Sequence, residues 1–554
     1  MLRVQLPMLK PNIVLLLCDD LGFNDVSFHG SPQILTPHID RLATTGLRLE
    51  NYRSQPVCSP TRASLLSGRH AIHHGIYMPF ARGSPLRLSL NLTLLPQLLA
   101  TLGYDRFAIG KWHLGQNEVA TLPTSRGFNS HYGYWTGAED HYNHQSPQIN
   151  GSYDFADNLR TCREANGTYG NDLFVQRAVS LIEGRRHQTC PFFLYLAFQN
   201  VHWPLQAPEE YVKRYANTTG EDWRRQYVAA MASAADDAVG AVVSAMERTG
   251  LKDSSLIIFL SDNGGPTNGN EGTWSSNYPL RGGKNTLWEG GTRVVAVVSG
   301  MGVGKSQTGK TTKALFHAVD WLPTLVHLAS GSADWLARTS PVWLGREVGR
   351  AQRIGKEPMW MPGDGVDQLA LLLSGKPVRN EVVLEAHPEE AWVVPRRMAA
   401  GYQLPLDEGQ VHAQSTVADD TVHGDALVTS EGWKLIRIGS VRPKEESGWV
   451  PPPGQDPKRV PYSAGCDIRR QPKAPPSVLR KQCIGPTWCL FNILDDPCEY
   501  EDVASRHPGV VADLVQRLKR YQATAVPPVS PDGSCEPIVV DGVWRPCDAP
   551  IGTT

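Results

Sequence analysis

Residues 11–25, PNIVLLLCDDLGFND, set a short apolar run, IVLLLC, directly against an acidic pair. An unbroken run of this length reads as a strand buried on both faces, because a half-buried strand would alternate apolar and polar positions. The polar residues that follow it, Asp19 and Asp20, then sit at the strand's carboxyl end. The same arrangement recurs three times downstream. TLLPQLLATLGY places Leu94, Leu95, Leu98, Leu99 and Leu102 on one helical stripe, with Thr93 as the expected N-cap and Gly103 as the stop. The strand-like RFAIG then delivers KWHLG. After the amphipathic NDLFVQRAVSLIEG, the strand PFFLYLAF delivers QNVHWP, and after the long helix RRQYVAAMASAADDAVGAVVSAMERTG, SLIIFL delivers SDNGG. Short buried strands alternating with helices predict an α/β fold built on a largely parallel sheet. Ligands bind such sheets at the carboxyl ends of the strands, so the four polar clusters are expected to converge on one face.

The totals leave room for this large core and a satellite. The chain has 554 residues with 54 Lys+Arg against 55 Asp+Glu, a formal net charge of -1. Nothing in that balance favours nucleic acid or an anionic membrane as a partner, and an anionic substrate has to be held locally. The longest apolar runs are strand-sized, too short to cross a bilayer, so no membrane span is expected. The start, MLRVQLPMLK, leads straight into the first strand and the acidic pair without a small-residue cleavage site, so no signal peptide is evident. Four N-x-[ST] sequons, at Asn91, Asn150, Asn166 and Asn217, nevertheless lie in polar surroundings suited to glycan acceptors. Six of the ten cysteines, Cys466, Cys483, Cys489, Cys498, Cys535 and Cys547, crowd towards the C-terminus, where proline-rich loops need stapling; Cys162 with Cys190 offers a further pair. Both features point to an oxidising compartment.

Near residue 390 the chain changes character, becoming richer in Pro, Gly and Ser. The strand candidates ALVTSEGWKLIRIG and CLFNIL are followed by the helix PGVVADLVQRLKRYQA, whose Val511, Leu514, Val515, Leu518 and Tyr521 share a face. The expected organisation is a catalytic domain over residues 1–395 and a smaller α+β domain, with an antiparallel sheet and a helix, over 396–554.

The clusters carry chemistry of two kinds. Asp19, Asp20, Asp262 and Asn263 supply three carboxylates and an amide oxygen, hard donors suited to Ca²⁺ or Mg²⁺. Either pair alone reads as turn or cap residues; two pairs after separate buried strands favour a metal. Lys111, His113, His202 and Lys284 add two cations and two imidazoles, which could hold an anion and pass protons. Asp140, His141 and His144 mimic a zinc site, but their polar loop does not give the helical spacing that such a site needs. Asp236 and Asp237 fall in the middle of a helix and are expected to be solvated or paired. Cys58, in NYRSQPVCSPTRASLLSGRH, is open on local grounds to three readings: a nucleophile, a disulfide half or a buried thiol.

CSPTR settles which of these to expect. Cys58, Pro60 and Arg62 match C-x-P-x-R, and the extended CSPTRASLLSGR, with GKWHLG, SDNGG and the DD after the first strand in the same order, resembles the sulfatase family. Within it the chain is most similar to the N-acetylgalactosamine-4-sulfatase (arylsulfatase B) branch, from PNIVLLLCDDLGFNDVSFHG through LRGGKNTLWEGGTRV to CEPIVVDGVW. The resemblance implies an alkaline-phosphatase-like fold, a large mixed and mostly parallel sheet flanked by helices. It implies one Ca²⁺ per chain, held by Asp19, Asp20, Asp262, Asn263 and the modified Cys58, with Arg62, Lys111, His113, His202 and Lys284 binding sulfate or handling protons. It also implies that Cys58 is converted to formylglycine by the formylglycine-generating enzyme. The hydrated aldehyde would attack sulfur with one hydroxyl and expel sulfate with the other. The substrate would be a sulfated carbohydrate or an aryl sulfate, with no nucleic acid involved. The chain departs from that branch at MPFARGSPLRLSLNLT, residues 78–93, where expected cysteines are missing. Two rivals share the scaffold: a phosphodiesterase or phosphonate monoester hydrolase, and a catalytically silent sulfated-glycan-binding protein.

Overall fold

Ten strands form the main sheet of the computed structural model, which describes residues 10–81, 84–146, 151–218, 222–267, 271, 273–336, 363–386, 424–439, 449–451, 466, 483–530 and 538–549. In chain order these are β1 (Asn12–Cys18), β2 (Leu47–Leu49), β3 (Asp105–Lys111), β4 (Ser130–Tyr134), β5 (Ala156–Asp157), β6 (Arg160–Thr161), β7 (Phe192–Ala197), β8 (Ser255–Ser261), β9 (Ala296–Gly300) and β10 (Lys310–Thr312). Their order across the sheet is β10-β2-β9-β8-β1-β7-β3-β4-β5-β6. The central five, β8-β1-β7-β3-β4, are mutually parallel, and β9 and β5 pair antiparallel at the two flanks. The expected mixed, mostly parallel sheet is therefore present. Its four cluster-bearing strands, β8, β1, β7 and β3, are neighbours running in one direction.

The continuous apolar sequence of β1 follows from burial on both sides. Ile13, Leu15 and Leu17 pack into one core with Leu95, Leu98 and Leu99 of helix α3 (Leu95–Thr101) and with Trp321, Leu322 and Leu325 of helix α6 (Trp321–Ser330). Val14, Leu16 and Cys18 pack into a second core on the opposite face, with Phe174 and Ala178 of helix α4 (Gly170–Glu183) and Val228, Ala229 and Val239 of helix α5 (Trp223–Thr249). Successive side chains of a strand point to opposite faces, so both sets must be apolar when helices cover both sides. Helix α5 is the one described helix long and apolar enough to cross a bilayer, and its apolar window is buried inside the protein.

Several local expectations change. Leu94, not Thr93, is the N-cap of α3, and the Gln97 side chain accepts from its N–H at 2.8 Å. Gly103 does provide the left-handed stop, with φ 80°. Of the two expectations for Asp236, solvated or paired, the second holds: it accepts from the N–H groups of His38 and Ile39 at 3.2 and 2.8 Å, in the first turn of helix α1 (Pro37–Thr45). That first turn has N–H groups without intrahelical partners, which explains a buried carboxylate in the middle of a helix. Cys162 and Cys190 do not pair. Cys162 is buried where the chain leaves β6, whereas Cys190 is exposed two residues ahead of β7, at the opposite end of that strand from its polar cluster.

A second sheet of four antiparallel strands holds β11 (Glu381–Glu385), β12 (Gly424–Thr429), β13 (Trp433–Ile438) and β14 (Cys489–Asn492). It starts upstream of residue 396, and the expected 395/396 boundary lies outside the described residues. Helix α7 (Pro508–Gln522) covers one face through Leu514 and Leu518, and the other face packs on Leu287, Trp288 and Leu315. Disulfides Cys466–Cys498 and Cys483–Cys489 staple this region, and Cys547 is also disulfide-bonded. The last strands, Ile538–Val540 and Val543–Arg545, return to pair with Ser152–Tyr153 beside the main sheet. Asn91, Asn166 and Asn217 are exposed, whereas Asn150, Cys535 and residues 1–9 lie outside the described residues.

Candidate active site

Parallel pairing brings the four clusters together. β1 ends in Asp19 and Asp20, β8 in Asp262 and Asn263, β3 in Lys111 and His113, and β7 leads to His202. Cys58 opens helix α2 (Cys58–Ser67), all ten of whose residues are buried, and Gly68 closes it in the left-handed region at φ 64°. Pro60 is tolerated in the first turn because no intrahelical donor is needed there. The start of α2 thus presents unpaired N–H groups and the positive end of its dipole beside Cys58, a favourable place for an anion.

The imidazole of His113 touches Cys58. Its Nδ1 lies 3.3 Å from Cys58 Sγ, and its Nε2 lies 2.8 Å from the Phe80 carbonyl. Only a protonated Nε2 can donate to that carbonyl, so in the neutral ring Nδ1 presents its lone pair to Cys58. Burial and the neighbouring Lys111 hold His113 well below the usual histidine range, so it is a neutral acceptor. Burial also pushes the Cys58 thiol up to about 11 against the pull of Lys111 and Lys284. An unmodified Cys58 is therefore protonated, a poor nucleophile. Lys111 and His113 reach the same centre by a route that extended spacing does not give: His113 has φ 58°, a left-handed turn just past β3. Asp20, at φ 63°, bends the chain in the same way after β1. Both are non-glycine residues in a costly region of backbone space.

The carboxylates form a tight cluster. Lys111 Nζ lies 2.5 Å from Asp19 Oδ2, Lys284 Nζ 2.9 Å from Asp20 Oδ2, and Arg62 donates to Asp262 Oδ2 from Nε and Nη2 at 3.1 and 2.7 Å. Asn263 Nδ2 donates to Asp20 Oδ1 at 2.6 Å. Burial, with carboxylate neighbours, lifts Asp20 and Asp262 to about 6. Asp19 Oδ1 and Asn263 Oδ1 are buried and accept no hydrogen bond. Two orphaned hard oxygens beside crowded carboxylates fit a divalent cation bound by oxygen. Asp19, Asp20 and His202 each bring a ligand atom within 4.8 Å of the others. His202 Nε2 lies 3.7 Å from Asp20 Oδ2, and its Nδ1 donates to the Trp203 carbonyl at 2.6 Å. Of the residues that mimic a zinc site, His144 pairs with Glu139 at 3.0 Å and His141 stacks on Tyr169.

Other residues prove to hold the site together. Ser59 Oγ donates to the His113 carbonyl at 3.0 Å and accepts from Phe80 N at 3.2 Å, fixing the histidine and its partner at once. Asn277 Oδ1 accepts from Phe23 N and Gly265 N, and Asp25 accepts from Gly22 N, Ser276 N and Arg225. These two side chains bind the loop after β1 to the loop after β8 and to the segment leading to Lys284. Glu271 pairs with Lys284 at 2.7 Å. Ser59 lies inside the CSPTR signature, but local sequence carries no signal for the others.

A metal-type oxygen cluster, a cation-lined helix start and two imidazoles define a hydrolase site for esters of a tetrahedral anion. Comparison with known proteins agrees. Residues 11–332 match the sulfatase family. Mouse arylsulfatase J is 34% identical, over 97% of this chain and 80% of the relative. Human arylsulfatase A is 32% identical, over 78% and 82%. The crystal structure of Ps i-CgsB in complex with k-i-k-neocarrahexaose superposes with a TM-score of 0.68 at 24% identity, covering 94% of each chain. PsFucS1 sulfatase from Pseudoalteromonas sp. gives 0.64 at 22%, over 93% of this chain and 90% of that one. The chain belongs to the sulfatase family. It is a sulfuric ester hydrolase of the arylsulfatase type on an alkaline-phosphatase-like fold.

Proposed function

We propose that the protein removes sulfate from sulfated sugars, N-acetylgalactosamine 4-sulfate above all, using a formylglycine made from Cys58 by the formylglycine-generating enzyme. The observation that carries this reading is the pairing of Cys58 Sγ with the lone-pair side of His113 at the start of a buried helix. Cys58 Sγ occupies the position of the hydroxyl oxygen of the modified side chain, within reach of an acceptor for its proton. The modification supplies a hydroxyl nucleophile with a second hydroxyl able to expel sulfate. A Ca²⁺ held by Asp19, Asp20, Asp262, Asn263 and the modified residue 58 would withdraw charge from the sulfate oxygens. Arg62, Lys111 and Lys284 keep the pocket cationic; Lys111 and Lys284 face the ester and Arg62 braces Asp262. His202, with Nδ1–H fixed on a carbonyl, turns Nε2 to the centre and, as the imidazolium beside Asp20, gives its Nε2 proton to the departing sugar oxygen.

The galactosamine assignment is supported by the resemblance of the chain to that branch. Human N-acetylgalactosamine-6-sulfatase, 33% identical over 58% of this chain and 62% of its own length, also names a sulfated hexosamine. Exposed sequons at Asn91, Asn166 and Asn217 and the disulfides support maturation in the secretory pathway, with a lysosomal or secreted destination. The test is a mass map of the Cys58 peptide from protein made with the modifying enzyme, alongside turnover. Formylglycine in active protein, and loss of turnover with retained folding in Cys58→Ala, are expected. Active protein carrying only thiol or disulfide at residue 58 refutes the proposal.

A further inference from the structure

Lys284 is held by two carboxylates. Its Nζ lies 2.9 Å from Asp20 Oδ2 and 2.7 Å from Glu271 Oε2, and Asn285 Nδ2 donates to the other oxygen of Glu271 at 3.2 Å. The two acids differ in position. The Asp20 side chain is 1% exposed, inside the oxygen cluster, whereas that of Glu271 is 28% exposed. Glu271 therefore stands on the solvent side of Lys284.

An ionised carboxylate offers about four acceptor directions and no donor. Lys284 and Asn285 take one on each oxygen, and the partly exposed carboxylate keeps acceptor capacity on its solvent side, open to a group bound beside Lys284. We propose that Glu271 is a specificity-determining residue. It accepts a hydrogen bond from a neutral hydroxyl or amide N–H next to the scissile sulfate and rejects substrates with a second anionic group there. This inference rests on the sulfatase reading and narrows it to singly charged units such as a monosulfated hexosamine, against polysulfated or carboxylate-flanked ones. Placing like charges in contact is an effective way to exclude a wrong partner, because the repulsion acts on that partner alone.

The test separates binding from turnover. Full-length Cys58→Ala protein, which cannot turn over, is titrated calorimetrically with 2-hydroxy-5-nitrophenyl sulfate and 2-carboxy-5-nitrophenyl sulfate, with and without Glu271→Gln or Glu271→Asp. With Glu271 present, the hydroxyl probe is expected to bind about tenfold tighter than the carboxylate probe. Glu271→Gln should bring the two to within about threefold, and Glu271→Asp should keep most of the preference. Thermal melts confirm that each variant is folded. An unchanged preference in Glu271→Gln, or no binding of either probe to any variant, overturns the inference. Turnover of 4-nitrophenyl sulfate by protein with Cys58 intact reports separately on the sulfatase reading.

Discussion

Replacing Gly137 by alanine tests whether the position of His113 governs turnover. A Cβ added at residue 137 falls 2.8 Å from both Cε1 and Nε2 of the imidazole, whereas ordinary contact begins near 3.4 Å. The backbone on that side is pinned: Trp135 N and Thr136 N donate to buried Asp154 at 3.2 and 2.9 Å, and His113 N donates to Trp135 O at 3.0 Å. The ring therefore has to give way by at least about 0.6 Å, the difference between those contacts. That movement acts against the 2.8 Å bond to the Phe80 carbonyl and shifts Nδ1 relative to Cys58. Misplacement of a catalytic group by up to an ångström costs about 10- to 100-fold in rate, or roughly 1.4 to 2.8 kcal/mol of barrier. The assay is kcat/KM on a sugar sulfate and on 4-nitrophenyl sulfate, with formylglycine content, metal content and melting temperature measured in parallel. Both substrates should lose activity alike, since in the proposed mechanism His113 serves the nucleophile and not the leaving group. Turnover within threefold of wild type at equal formylglycine content would refute the reasoning.

His202→Ala should distinguish substrates instead: a loss of about 10²- to 10⁴-fold on a sugar sulfate, but under about tenfold on 4-nitrophenyl sulfate, whose phenolate leaves without a proton; equal losses would reassign His202 to binding. Lys434 lies between buried Glu289 and Glu499 at 2.9 and 2.7 Å and joins the second sheet to the catalytic core. Lys434→Met leaves the second carboxylate without its cation and should cost about 3–5 kcal/mol in denaturant unfolding; a change below about 1 kcal/mol would contradict that role. Burial raises Asp236 to about 6. A raised carboxylate stabilises the fold fully below its unfolded value near 3.8 and loses that contribution as pH rises through 6. Measured against Asp236→Asn, wild type should therefore gain stability, on the order of 1 kcal/mol, as pH falls from 7.5 to 4; a difference independent of pH would show that Asp236 does not titrate in that range.

The elements most legible in the sequence were those whose patterns are imposed by burial. IVLLLC, FFLYLA and LIIFL are apolar throughout because helices cover both faces of the sheet, and their polar successors mark the carboxyl ends. That logic located Asp19, Asp20, Lys111, His113, His202, Asp262 and Asn263 before any contact was known. It failed where a partner is remote in sequence. Asp236 stays open in sequence between solvated and paired because its N–H partners lie 197 and 198 residues away. Cys162 and Cys190 looked like a pair because separation along the chain does not report which end of a strand each residue occupies.

By itself, then, the sequence determined the layered α/β architecture, the edge of its sheet where the polar clusters gather and, through CSPTR, the likeness to the sulfatase family. These are set by local periodicity and by short motifs, which a chain carries within a few residues. Only the tertiary structure decided how the clusters address one another: the left-handed turns at Asp20 and His113, the ring nitrogen that faces Cys58, the lack of room for a Cβ at Gly137 beside the imidazole, and the placement of Glu271 outside Lys284. Each depends on the relative placement of segments from different strands and loops, fixed by packing of the whole core to within tenths of an ångström, and no local pattern encodes a distance of that kind.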